Sequence, residues 1–177
     1  DLAADFRLTD QKVYEQWYGH KHESPSLLSN TIYGLTEFNR NEIKHSSLIA
    51  CPGCYPTASL IPLIPLLEES CIQKNRIIVD AKSGVTGAGR AEKLDNLFPE
   101  ISEAMHPYSI AQHRHIPEIE QALSIASEKD VSITFTPHIV PMNRGIIATI
   151  YAELEEGVSQ LTAKSILTTK FCDEPFV

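Results

Sequence analysis

No run of eighteen apolar residues occurs anywhere in the 177-residue chain, so its sequence offers no membrane-spanning helix. Cysteine is sparse. Four residues, Cys51, Cys54, Cys71 and Cys172, are too few for a disulfide scaffold in a chain of this size, and with no signal peptide ahead of them a reducing, cytoplasmic location is expected. Positive charge is also short, with fifteen Lys and Arg against twenty-three Asp and Glu and a net charge of -8. Phosphate neutralisation needs clustered cations, which are not visible here, so a nucleic-acid surface is excluded. Internal repeats and low-complexity tracts are missing, and at 42% hydrophobic and 21% charged the composition is that of an ordinary globular protein. The chain also lacks an initiator methionine. Asp1-Leu2-Ala3-Ala4-Asp5-Phe6-Arg7-Leu8 looks like the end of a strand already under way, which predicts one domain with a piece of a second, cut from a longer protein.

What is present centres on residues 47–58, where the apolar run Leu48-Ile49-Ala50 breaks at Pro52-Gly53 and delivers Cys54 to the start of a helix. From Thr57 to Glu69 the chain is apolar on most sides, which predicts a buried helix with Cys54 in its first turn. Pro56 suits a first turn, where no donor is lost, and Pro62 predicts a kink or a restart. A thiol at a helix N-terminus faces free backbone N–H groups and the positive end of the dipole, both of which favour thiolate. Cys54 is therefore the candidate nucleophile. Two rivals use the same residues: Cys51 and Cys54 as a redox C-x-x-C, or the two cysteines with His113 and His115 as a zinc set. The first lacks a thioredoxin-like βαβ context and the second lacks the H-x3–5-H spacing, so no metal site is expected.

Along the rest of the chain, Thr9 or Asp10 is placed to cap a helix running to Tyr18, with Val13, Trp17 and Tyr14 towards its inner side. The polar stretch from His20 to Asn30 predicts a loop with His20 and His22 solvated. Thr36 is positioned to cap a short helix after Tyr33-Gly34-Leu35. Ile77-Ile78-Val79 predicts a buried strand that empties into Lys82-Ser83-Gly84-Val85-Thr86-Gly87-Ala88-Gly89-Arg90. This loop is neither a P-loop, since Arg90-Ala91 stand where Lys and Ser/Thr are needed, nor a dinucleotide fingerprint, since its glycines fall as G-x-x-G-x-G. Three glycines in six residues fit either a backbone brought close to a ligand or a tight structural loop.

Residues 94–107 are irregular, broken at Pro99 and Pro107. Gln112-His113-Arg114-His115-Ile116-Pro117-Glu118 opens a helix predicted from Pro117 to Ser127, with both glutamates suiting its start. Two histidines flanking an arginine just before a helix point to general acid/base work. Strands are predicted over 131–136 and 146–154, with the polar stretch Pro137 to Gly145 between them, followed by a helix over 159–169. Long strands joined by turns beside helices predict antiparallel pairing in an α+β or mixed α/β architecture.

Six of these segments, in one order, resemble the N-acetyl-gamma-glutamyl-phosphate reductases, acyl-phosphate-reducing enzymes of arginine biosynthesis related to aspartate-semialdehyde dehydrogenase. They are Asp5 to Leu8, Tyr33 to Glu37, Pro52 to Thr57, Lys82 to Arg90, His113 to Ile119 and Pro137 to Gly145. The resemblance implies a glyceraldehyde-3-phosphate dehydrogenase-like fold: a mixed, largely antiparallel sheet flanked by helices over 53–177, with residues 1–52 ending an NADP-binding Rossmann domain. It also implies a homo-oligomer, dimer or tetramer, acting on a small molecule with no nucleic-acid or membrane partner. The implied chemistry is NADPH-dependent reduction of N-acetyl-glutamyl 5-phosphate to the 5-semialdehyde through a Cys54 thioester, with His113 or His115 as acid/base. Arg7, Arg114 and Arg144 would hold phosphate and carboxylates, and Ser83, Gly84, Gly87 and Gly89 would lie against the cofactor. The alternative is a dimerisation module inactive without the cofactor half. One departure stands out, since the family usually has asparagine where this chain has Cys51.

Overall fold

The computed structural model describes residues 1–89 and 91–177; Arg90, the last residue of the glycine-rich segment, lies outside the described residues. Asp10 starts α1 (Gln11–Tyr18) as expected, its carboxylate accepting from the backbone N–H of Lys12 and Val13, and Gly19 ends it in the left-handed conformation at φ +75°. Tyr14, rather than Val13 or Trp17, is the fully buried residue of this helix. In the stretch after it His20 is exposed, as expected, but His22 is not. His22 is buried, its Nε2 paired with the Asp5 carbonyl and its Nδ1 accepting from Ser24 N–H, beside the rings of Phe6 and Tyr14. A short 3-10 turn, Pro25–Asn30, leads to β1 (Ile32–Tyr33).

α2 (Thr36–His45) is preceded by Leu35, so Thr36 is its first residue and caps nothing. β2 (Ile49–Ala50) lies parallel to β1, and Gly34 is pressed so close to it that a Cβ there would stand 3.0 Å from the Ala50 carbonyl oxygen. The chain then enters α3 (Cys54–Glu68), which runs unbroken through Pro62 and Pro65 with Cys54 as its first residue. Each interior proline removes one ladder hydrogen bond, and the burial of Leu60, Leu63, Ile64 and Leu67 at about 1.5–3 kcal/mol apiece offsets that loss.

β3 (Ile72–Gly84) is far longer than the predicted strand. After it come a 3-10 turn (Val85–Ala88), a second (Leu94–Asn96), α4 (Phe98–Ile101) and the two-residue β4 (His106–Pro107). α5 (His115–Ser127), β5 (Ile133–Val140), β6 (Ile146–Leu154) and α6 (Gln160–Phe171) complete the chain. The sheet order is β4-β5-β3-β6, with β3 parallel to β5 and antiparallel to β6. β5 and β6 therefore do not pair with each other, as adjacent strands joined by a turn predict. Residues 141–145 instead arch over the end of β3, where Gly84 N–H donates to Gly145 O and Val85 N–H to Met142 O. The α5 crossover makes the parallel β3–β5 pairing possible.

The inner face of the sheet, Ile77, Val79, Ala81, Phe135 and Ile139, packs on α3 and α5, where Ile119 and Leu123 are wholly buried. Among the described residues no helix covers the outer face. Ile78, Tyr151 and Ile147 stand 44%, 56% and 65% exposed on it, around an ionic cluster in which Lys82 and His138 both approach the Asp80 carboxylate.

Candidate active site

Cys54 is exposed at the first turn of α3, and its approach is held by buried polar contacts. The Gly53 N–H donates to Glu118 Oε1 at 2.8 Å, and the same oxygen accepts from Tyr33 Oη at 2.7 Å. Arg7 donates from Nε to the Cys51 carbonyl at 2.8 Å and sets its guanidinium 3.6 Å from Glu118 Oε2. Glu118 is only 1% exposed, so one carboxylate ties three separate segments beneath the nucleophile. Burial raises its pKa, against the lowering pull of those same donors. Reading Glu118 as a helix-start charge misses this role. Its one sequence signal is its setting among Ile116, Pro117 and Ile119.

α5 begins at His115, two residues before the expected start, and Arg114 takes the N-cap position with helical dihedrals. The two histidines therefore diverge in role. His113 is enclosed by the rings of Tyr55, Tyr108, Phe135 and His115 at 5.6, 5.6, 5.3 and 4.7 Å. Its Nδ1 accepts the His115 backbone N–H at 3.1 Å, which fixes the ring proton on Nε2. The His115 ring lies against Gly53, where a Cβ would stand 2.8 Å from its Cε1; only glycine lets the imidazole approach the residue before Cys54 this closely. Its buried Nδ1 has no hydrogen-bond partner among the described residues, so its tautomer is not fixed from that nitrogen. Burial pushes His113 down to about 4 and His115 down to about 3, helped by Arg114 at the first and by His113, Arg7 and Arg114 at the second.

These shifts have a stability consequence. Both folded-state values lie below the ordinary 6.5, so the unfolded chain takes up protons first as pH falls. The contribution of the two rings to stability is complete above about 6.5 and declines as pH drops towards 4 and then 3. Urea midpoints at pH 7.5 and pH 5 are expected to differ in the native sequence and to converge in a His113→Gln/His115→Gln variant; an unchanged difference would assign the acid sensitivity elsewhere.

The histidines open on a cleft of about 590 Å³ that is lined also by Arg7, Tyr18, Gly87, Lys93, Tyr108 and Arg114. Among its charged lining residues Arg7, Lys93 and Arg114 oppose Asp95 alone, so the cleft suits an anion despite the acidic chain. Arg114 is stacked over the Tyr18 ring at 5.1 Å. Arg144, the third arginine singled out in the sequence, is exposed on the 141–145 turn and is not among the cleft residues; its backbone N abuts Gly84.

The glycine-rich segment divides similarly. Ser83 is buried, its hydroxyl donating to the Gly84 carbonyl, and Gly84 is tight because a Cβ would meet Arg144 N at 2.8 Å. Gly87 rests on the Ser83 hydroxyl and, with Ala88, forms a wall of the cleft. Gly89 adopts φ +83° with open space where a side chain would be. Among the described residues no three His, Cys, Asp or Glu side chains converge as a metal ion requires.

Residues 54–177 match the family described as the semialdehyde dehydrogenase dimerisation domain. Over its whole length the chain is 51% identical to the N-acetyl-gamma-glutamyl-phosphate reductase of Lachnoclostridium phytofermentans, of which it covers 51%. The chain thus spans about half the length of the curated relatives it matches. Among solved structures, aspartate semialdehyde dehydrogenase II of Vibrio cholerae superposes with a TM-score of 0.62 at 14% identity, over 90% of this chain and 58% of that one. The aspartate semialdehyde dehydrogenase of Candida albicans, solved with NADP, gives 0.51 at 13% identity over 77% and 44% of the two chains. At these identities the structural likeness speaks to fold alone.

Proposed function

The chain belongs to the semialdehyde dehydrogenase dimerisation-domain family, and from that premise we propose that it is the catalytic half of a reductase converting an acyl phosphate to an aldehyde through a thioester on Cys54. The substrate of this reading is N-acetyl-glutamyl 5-phosphate, reduced to N-acetylglutamate 5-semialdehyde in arginine biosynthesis, as the name of the 51% identical relative suggests. The observation that supports it is an imidazole, His115, that lines the cationic cleft and lies against Gly53, the residue before an exposed helix-start thiol; Cys54 itself is not among the cleft residues.

Cys54 Sγ attacks the acyl carbon, the thiol proton passes to His115, and the carbon–oxygen bond to phosphate breaks as the thioester forms. Burial, above all, keeps His115 unprotonated at neutral pH, so the ring is free to accept, although at about 3 it is a weak base before substrate arrives. An arriving acyl phosphate would offset the charges of Arg7 and Arg114, which are lesser causes of that depression than burial, and its negative charge would favour the protonated ring. Arg7 and Arg114 then hold the departing phosphate or the substrate carboxylate. NADPH, when bound, supplies the hydride that reduces the thioester. Gly87 and Ala88, which present little beyond backbone to the cleft, would hold the nicotinamide end of that cofactor, whereas Ser83 is buried and Gly84 packs on the Arg144 backbone. Residues 1–52, with their parallel β1–β2 pair, are read as the end of the dinucleotide-binding domain.

The test is phosphate-dependent reduction of NADP with the semialdehyde by the protein, and its loss of rate on substitution. His115→Gln is expected to lower kcat by about 10²–10⁴, the range for a general acid/base, and His113→Gln by less than about tenfold. Equal, small losses would return both rings to packing.

The partner of this reading is a second copy docked on the uncovered outer sheet face. That face is apolar at Ile78, Ile147 and Tyr151, and its charges are paired with opposite sign at Asp80 with Lys82 and at Arg76 with Glu153, which suits a self-complementary two-fold contact. Ile147→Asp/Tyr151→Asp is expected to reduce the mass measured by light scattering while the circular dichroism spectrum stays native. A retained wild-type mass would place the interface elsewhere.

A further inference from the structure

Tyr108 belongs to none of the segments that the nucleophile, base and arginines draw on, yet it lines the cleft between them. Its hydroxyl donates to Tyr55 Oη at 2.9 Å. Tyr55 is the residue after Cys54 and is 2% exposed. Two linked hydroxyl groups thus run from the cleft to the first turn of the nucleophile's helix, and burial raises the pKa of both phenols and keeps them protonated.

The backbone around Tyr108 is built to hold it there. Its N–H donates to the Pro137 carbonyl at 3.0 Å, and the residues on either side include Glu103, Ser109 and Ala111 in the left-handed region at φ 60°, 46° and 55°. Side chains of these types rarely adopt that conformation, and three such residues within nine concentrate strain beside the cleft. The strained turn between Tyr108 and His113 sets the phenol ring 5.6 Å from the imidazole.

We propose that Tyr108 is a positioning residue for the reaction: its hydroxyl, through Tyr55, fixes the Cys54 turn against the cleft, and its ring encloses His113. The two parts are separable. Tyr108→Phe keeps the ring and removes the hydroxyl, whereas Tyr108→Ala removes both. The inference rests on the reductase reading, and a full-length wild type, cofactor domain included, without semialdehyde-dependent NADP reduction would sink that reading and this one with it.

Given an active wild type, Tyr108→Phe is expected to lower kcat about tenfold with KM within twofold and thermal midpoint unchanged, because a misplaced reacting atom costs rate rather than ground-state binding. Titration of His113 by NMR is expected to stay near 4 in the wild type and Tyr108→Phe and to rise towards 6.5 in Tyr108→Ala, where water reaches the ring. Turnover of Tyr108→Phe within twofold of wild type would overturn the role of the hydroxyl. A rise in KM at constant kcat would also overturn it, by showing the hydroxyl to be a substrate contact. If Tyr108→Ala does not fold, Tyr108→Leu supplies the ring-deletion arm, and an unshifted His113 titration in it would overturn the enclosure.

Discussion

Cys54→Ser is expected to lower turnover by about a thousandfold or more, while Cys51→Ser keeps activity within about threefold of wild type. The asymmetry follows from what each residue contributes. Cys54 is exposed at the first position of α3 with its thiol directed out of the core, and a serine hydroxyl there would have only a depressed imidazole to take its proton. Cys51 contributes through its backbone: its carbonyl accepts from Arg7 Nε at 2.8 Å and its N–H donates to the Asp1 carbonyl at 2.9 Å. Serine preserves both contacts. Steady-state rates and trapping of the acyl-enzyme by mass spectrometry measure the difference. Equal losses in the two variants would revive the dithiol or zinc readings, which a metal assay on the wild type then separates.

The same contrast shows what could be read from the chain beforehand. The helix at Cys54 was legible because an apolar run of this density, entered through Pro-Gly with a proline in the first turn, has few alternatives. The His113–His115 cluster was legible as chemistry, but the start of α5 was not, since Pro117 suits a third helical position as well as a first. Ser83 was misread for want of the strand's phase. β3 begins at Ile72, and once its inner face is set by Ile77, Val79 and Ala81, alternation turns Ser83 inward too. The flanking of β3 by β5 and β6 had no local signal. Two strands separated by five residues look like a hairpin, and only the long-range ladders to β3 decide otherwise. Glu118 and Tyr108 were hidden for a related reason, because their partners at Arg7, Tyr33 and Tyr55 are distant in sequence.

Removing the Glu118 charge is expected to cost both stability and rate. Glu118→Gln keeps an acceptor for the Gly53 N–H and the Tyr33 hydroxyl but leaves the Arg7 guanidinium, itself only 12% exposed, without its counter-charge. Breaking one side of a buried pair costs about 3–5 kcal/mol, which for a domain of this size lowers the melting temperature by roughly 10 °C. Arg7→Met leaves the converse fault, a buried carboxylate without a cation. The double variant Arg7→Met/Glu118→Gln leaves neither, so its loss is expected to fall short of the sum of the singles by about 1–3 kcal/mol. Activity should not recover in parallel, because Arg7 also lines the cleft and its cation is then gone. Denaturant titrations of the four proteins, with kcat/KM alongside, give the coupling. A Glu118→Gln variant as stable as wild type at pH 7 would show that burial has already protonated the carboxyl, so that Arg7 is held by the Cys51 carbonyl rather than by charge.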